Sequence, residues 1–320
     1  MLDEDAWGRL EALSDTFTCY SAAIATWAAA GREDWVELID PGLELAIAPA
    51  GGGLLSFAHL RAGLRAELSL VRTGSEDPQR AEAQALDELE RAGRLLVAGD
   101  GFNQPWHVAY QRRHAPHWFV LERRERELAV ADPFAYTSEL GQQRPHRGRI
   151  DGVPLADLLR AVPDGDPVLA LREALAFGEE SAPRPWQPYA WFVRGEVEDW
   201  RALQGACGPE AISTLATHFR DYGQELEAYR QSEDIWAIGR HRALTTRHLR
   251  EVAAAGGQAA LAEWVSDHLE PLAKRWGHVA PLMMQATLSL QAGRSASASL
   301  PETLDELASR EEAATRAWPA

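Results

Sequence analysis

The period of the apolar positions changes twice along the chain. Residues 4–13 place Trp7, Leu10 and Leu13 on one side of a short helix. After the polar turn Ser14-Asp15-Thr16, the segment CYSAAIATWAAAG is small and apolar throughout. That is the pattern of a buried helix stopped by Gly31. Residues 41–60, with the triple glycine Gly51 to Gly53, read as a loop with short extended pieces. Residues 79–92 read as a helix with a charged face. Between 93 and 136 the period shortens to two. RLLVAGD reads as a strand, and after the loop GFNQPW the runs HWFVLERR and ELAVADPF alternate around a charged turn, which predicts a β-hairpin.

From about 152 the spacing becomes helical again, in VPLADLLRAV and DPVLALREALAF. The Pro-rich stretch Gly178 to Pro188 reads as a linker. Segments around 208–230, 233–255, 257–276, 278–292 and 301–317 read as helices, with Gly or Pro between several of them. The expected architecture is α+β. A domain built on an antiparallel sheet covers 1–150, a helical connector and linker cover 151–188, and an all-α domain covers 189–320.

Composition then removes several function classes. Of the 320 residues, 46% are apolar and 25% charged, enough for a sizeable core and too mixed for global disorder. No apolar run approaches the roughly 18 residues of a membrane span. The acidic N-terminus MLDEDAWGRLEAL has neither the basic start nor the apolar run of a signal peptide. A cytoplasmic protein with no membrane partner is expected. The net charge of −16 repels phosphate backbones and makes nucleic acid an unfavourable partner. Cys19 and Cys207 are the only cysteines, too few for a disulfide framework or a Cys-based zinc site. Cys207, before Gly208-Pro209, reads as structural. Cys19 reads as a candidate nucleophile.

The argument for Cys19 is positional. It stands where a helix begins, and there the free backbone N–H groups and the positive end of the helix dipole favour thiolate. The same N–H groups can receive an oxyanion formed at an attacked carbonyl. His117 opens one hairpin strand and Asp132 closes the other. A turn centred between Arg124 and Glu125 sets His117 opposite Asp132, Phe119 opposite Val130 and Leu121 opposite Leu128. One register then pairs an imidazole with a carboxylate and also makes a continuous apolar face, which a one-residue slip would destroy. In this arrangement Cys19 attacks, His117 is the base and Asp132 orients the ring. The plainer alternative also stands: a lone Cys in a buried helix is inert core, and Asp-Pro simply ends a strand.

Other groups compete for attention. His107, His114 and His117 fall close together but lack the Cys or carboxylate partners of a zinc site, so no metal is expected. His114 is the rival for the base role. Gly51 to Gly53 lack the Lys-Ser/Thr of a phosphate loop and read as a tight turn. Asp100, Asn103 and Trp106 are placed to line a cleft, with solvated loop residues as the alternative. Arg112, Arg113, Arg123, Arg124 and Arg126 make a local basic cluster that suits a carrier-protein helix or a phosphopantetheine phosphate, or else offsets the neighbouring glutamates.

Four features together resemble the butirosin biosynthesis protein H-like (BtrH-like) family of papain-like cysteine acyltransferases. They are CYSAA opening the small-residue helix, the Gly-rich stretches Gly42-Leu43 and Gly51 to Phe57, the run DGFNQPWHVAYQRRHAPHWFVLE, and the strand ending in Asp132-Pro133. The resemblance covers about residues 10–140, and DIWAIGRHRALTTRHL with 301–316 resembles the family's helical region more weakly. It implies a papain-like fold and an acyltransferase of bacterial secondary metabolism. Such a protein takes an acyl group from the phosphopantetheine thioester of an acyl or peptidyl carrier protein and passes it to a small amine or hydroxyl acceptor, with no cofactor of its own. It implies Cys19 as nucleophile, His117 as base and Asp132 as orienting acid, with Thr16, Thr18, Tyr20, Asp100, Asn103 and Trp106 near the substrate. Two features depart from the pattern. Leu13 stands where many papain-like enzymes place an oxyanion-donating Gln, and the hairpin turn ERRERE is charged rather than Gly-containing. A hydrolase using the same three residues, or a non-catalytic binding protein on the same fold, remains a rival.

Overall fold

The structure is a computed structural model that describes residues 2–124, 127–163, 167–180, 187–197 and 200–319. In chain order the first elements are α1 (Glu4–Ala12), α2 (Cys19–Ala29), α3 (Trp35–Ile39), β1 (Ala46–Gly51), β2 (Leu54–Ala58), α4 (Leu64–Glu67), β3 (Leu70–Ser75), α5 (Pro78–Ala92) and β4 (Arg94–Asp100). There follow β5 (Pro116–Arg124), β6 (Glu127–Asp132), β7 (Tyr136–Ser138), β8 (Gly141–Gln143), β9 (His146–Arg149), α6 (Leu155–Leu158), α7 (Pro167–Phe177), β10 (Tyr189–Arg194) and β11 (Ala206–Cys207). The last are α8 (Pro209–Tyr222), α9 (Ser232–Gly256), α10 (Ala259–Trp264), a π-helical turn (Val265–Leu269), α11 (Glu270–Trp276), α12 (Val279–Gln291) and α13 (Ser299–Arg316). The architecture is mixed α+β, with antiparallel sheets and a helical C-terminal region. No helix among the described residues is long and apolar enough to cross a membrane.

The chain divides into two compact units, and neither is continuous in sequence. The first comprises residues 1–39, 64–166 and 183–200, the second 40–63, 167–182 and 201–320. Division at 150 and 188 was the expectation. Instead residues 40–63 fold with the C-terminal helices, and β10, from a stretch expected to be wholly helical, is an inner strand of the N-terminal sheet. Most of the expected Pro-rich linker, residues 181–186, lies outside the described residues.

In the first unit the strands run β3-β10-β4-β5-β6-β9, all neighbours antiparallel. Leu95, Val97, Phe119, Leu121 and Val130 cluster with Ala81, Ala85 and Leu89 of α5 and with Leu155 and Leu158 of α6. The alternate residues Trp118 and Val120 point to the other sheet face, where α2 lies along β4, β5 and β6 and Tyr20 meets Trp118 edge-on at 6.3 Å. Both faces are covered, so buried apolar residues stand on both sides of β4 and β5. The hairpin exists, but its register differs from expectation. Leu121 stands opposite Val130 and Arg123 opposite Leu128, because Arg124 pairs with Glu127 across residues 125 and 126, which lie outside the described residues. The displacement is two residues, one full side-chain period, so every residue keeps its face.

In the second unit β1 and β2 form a hairpin, β11 pairs with β1, and α7 packs on β2. Gly51, Gly52 and Gly53 hold φ of 85°, 59° and 77°, the left-handed turn that glycine enters without a Cβ clash. Among the helices, α13 packs on α8, and α9 on α10, α11 and α12. Arg242 of α9 and Glu311 of α13 are both buried and joined by two bonds of 2.7 and 3.0 Å. Trp276 Nε1 donates to the same carboxylate at 3.0 Å, and the guanidinium also donates to the carbonyls of Gly42, Leu43 and Glu44. Removing one partner strands the other charge in a dry interior. Glu311→Ala is therefore expected to lower the unfolding free energy by about 3–5 kcal/mol in a urea titration.

Candidate active site

Cys19 is the first residue of α2, half-exposed, behind a helix start held by reciprocal caps. Thr18 Oγ1 accepts from the Ser21 N–H at 3.2 Å, and Ser21 Oγ accepts from the Thr18 N–H at 2.8 Å. Thr16 Oγ1 donates to the Leu13 carbonyl at 2.7 Å. Thr16, Thr18 and Tyr20, expected near the substrate, are buried. From those positions they set the helix start rather than line an open surface.

The sheet supplies the partners. Cys19 Sγ lies 3.9 Å from the Pro116 carbonyl, at the start of β5, and the next residue is His117. His117 is buried, and its Nε2 lies 2.7 Å from Asp132 Oδ2. That leaves Nδ1 as the ring nitrogen for the bond His117 shares with Cys19. Burial acts to lower the His117 pKa. The Asp132 charge and hydrogen bond, with a smaller effect of Cys19, outweigh it and raise the pKa to about 10. The ring is thus held charged through neutral pH. With the register found, His117 and Asp132 are diagonal rather than direct cross-strand neighbours, on one face and still within side-chain reach.

Asp132 is fully buried and well supplied with donors. Oδ2 also accepts from Trp106 Nε1 at 3.0 Å, and Oδ1 accepts from the Phe134 N–H at 3.1 Å. Trp106 stacks on His146, with centroids 5.4 Å apart and planes at 9°, and meets Phe119 edge-on at 5.2 Å. Expected as a cleft residue, Trp106 is bonded to Asp132. Sequence reasoning also missed His107, whose ring lies 4.3 Å from that of His117. Its Nδ1 accepts from the Ala109 N–H at 3.1 Å, and burial, with the charges of His117 and Arg113, pushes its pKa down to about 2. A neutral ring is therefore packed, tilted by 46°, against a charged one. The ring packs closely on Gly101, where an added Cβ would lie 2.4 Å from His107 Nδ1.

The remaining expected residues fall nearby. Asp100 is buried and bonds His114. Asn103 Nδ2 is buried and has no hydrogen-bond partner. The three histidines of 107–117 serve different partners, and no metal-holding group of His, Cys, Asp or Glu occurs among the described residues. In the basic cluster Arg113 pairs with Glu139, Arg123 with Glu90, and Arg112 donates to the Leu140 carbonyl, while Arg126 lies outside the described residues. In the other unit Cys207 is exposed. Compared with known proteins, the chain matches no family model and no curated protein.

Two outcomes follow from this geometry. In a Cys207→Ser background, His117→Gln is expected to slow iodoacetamide alkylation of Cys19 at pH 7 by about tenfold or more, since the cationic ring beside the sulfur is lost. The raised His117 pKa also makes the folded state bind the extra proton. Its contribution to stability is complete below about pH 6.5 and fades as pH climbs through about 10. Urea titrations of wild type and His117→Gln across that range should converge at the alkaline end.

Proposed function

We propose that this chain is a cysteine acyltransferase on a papain-like fold, moving an acyl group from a carrier-protein thioester through Cys19 to an amine. The observation that carries the reading is a single bond: His117 Nε2 on Asp132 at 2.7 Å, with the other ring nitrogen left for a cysteine at a helix N-terminus. A helix opening with the nucleophile and packed on an antiparallel sheet that bears the base and the acid also fits the family resemblance in residues 10–140.

In the first half-reaction the Cys19 sulfur attacks the thioester carbonyl carbon. The Cys19 backbone N–H, at the start of α2, offers a hydrogen bond to the oxyanion, in place of the missing Gln side chain. The bond from the acyl carbon to the carrier sulfur then breaks, and the His117 imidazolium gives its proton to the departing thiolate. In the second half-reaction the amine nitrogen attacks the acyl-Cys19 carbonyl, the carbon–sulfur bond to Cys19 breaks, and the amide leaves. Asp132 holds the ring in register throughout, and Trp106 and the Phe134 N–H hold Asp132. Hydrolysis is the second reading, favoured by the half-exposure of Cys19, which admits water to the same intermediate.

Intact mass spectrometry after mixing with an acyl-N-acetylcysteamine thioester should show one acyl adduct in wild type and none in Cys19→Ser. Addition of a primary amine should then release the adduct as amide. Free acid as the sole product at saturating amine supports the hydrolase instead. Absence of any adduct, or an adduct that survives Cys19→Ser, removes both readings.

A further inference from the structure

The loop between β4 and β5 carries a second histidine–carboxylate pair that the reaction above does not use. Asp100 ends β4 and is 1% exposed, while the His114 side chain is 53% exposed. His114 Nδ1 lies 2.5 Å from Asp100 Oδ2. Asp100 Oδ1 accepts from the N–H groups of Phe102 and Ala115, both at 3.0 Å. The ring stacks on Phe102 with centroids 4.5 Å apart and planes at 24°. A buried carboxylate taking backbone N–H bonds is an acceptor, so His114 Nδ1 donates to it and Nε2 is the ring nitrogen the pair leaves for another partner. An exposed histidine is thereby fixed in rotamer and tautomer from two sides, which a merely solvated loop residue does not need.

Its place in the fold ties it to the strand end that meets the thiol. Asp100 pairs in register with Pro116, whose carbonyl faces Cys19 Sγ at 3.9 Å. His114 is two residues before Pro116, so their Cα atoms are at most about 7 Å apart. The loop is closed there by Gly101 N–H to Ala115 carbonyl at 2.8 Å and by Gln111 N–H to Phe102 carbonyl at 3.0 Å. His117 is buried, with one ring nitrogen on Asp132 and the other on Cys19. It is engaged with the sulfur that must leave. His114 is the neighbouring imidazole open to an incoming molecule.

We infer that the Asp100–His114 pair is the acceptor-side base: the amine docks on His114 Nε2 and gives up its proton there as it attacks acyl-Cys19. This inference rests on the acyl-enzyme proposed above. The step balances. The amine nitrogen forms the bond to the acyl carbon, the carbon–sulfur bond breaks with its electron pair going to Cys19, and the amine proton passes to His114 and then to water. His117, having given its proton to the carrier thiolate, takes one back from water as the Cys19 thiolate is released and again holds it by charge, so the two imidazoles divide the work between leaving sulfur and arriving nitrogen.

The test separates the half-reactions. Wild type, His114→Gln and His114→Gly are loaded from an acyl-N-acetylcysteamine thioester, and release is followed with glycinamide. Loading is expected to stay within about twofold of wild type in both variants, while amide formation falls by about 100-fold, the range of general-base catalysis. Free imidazole is expected to restore amide formation in His114→Gly, because the site is open to solvent. Unchanged amide formation in His114→Gln overturns the inference, as does an equal loss in loading, or a slow His114→Gly that imidazole does not rescue. Those results leave the acyl-enzyme reading intact. A wild type that takes no acyl group, or yields only free acid with glycinamide, removes the transferase reading and this inference with it.

Discussion

An ionised carboxylate as deeply buried as Asp132 loses several kcal/mol of hydration unless other donors replace the water. Here the replacements are His117 Nε2, Trp106 Nε1 and the Phe134 N–H, which between them occupy both oxygens. The charge that burial would otherwise forbid is what keeps the His117 ring protonated, and that ring in turn faces the only half-exposed atom group of the three, the Cys19 thiol. The chemistry proposed for the site is therefore a consequence of how one carboxylate is solvated by protein.

That solvation requires the sheet. β4, β5 and β6 are buried on both faces, so their relative positions are held by packing on α2 from one side and on α5 and α6 from the other. His117 and Asp132 sit where the hairpin's apolar face runs out, and Trp106 closes over that end between Phe119 and His146. The helix start is fixed separately, by the Thr18–Ser21 caps. Two elements, each held by its own local contacts, thus bring Cys19 to the start of β5, next to His117.

The loop from Asp100 to Pro116 supplies the remaining groups around the site. It places a neutral His107 against the charged His117 and an exposed His114 on a second buried carboxylate. Three histidines within eleven positions look alike in sequence. Burial, backbone bonds and the nearest carboxylate make them a buried ring against His117, a solvent-facing partner of Asp100 and a buried partner of Asp132.

Much of this was readable in advance. Period-two alternation identified both hairpin strands and which residues share a face, because alternation is a property of each strand alone. The small apolar run beginning at Cys19 announced a buried helix for the same local reason. Faces survive a register shift of two, which is why His117 and Asp132 were paired correctly from a register that was not. What the chain could not announce was every contact between distant stretches. β10 entering the N-terminal sheet, residues 40–63 joining the C-terminal helices, and Trp106 reaching Asp132 are pairings chosen by shape and burial in three dimensions. Periodicity says how much of a residue is hidden. Only the packed structure says what hides it.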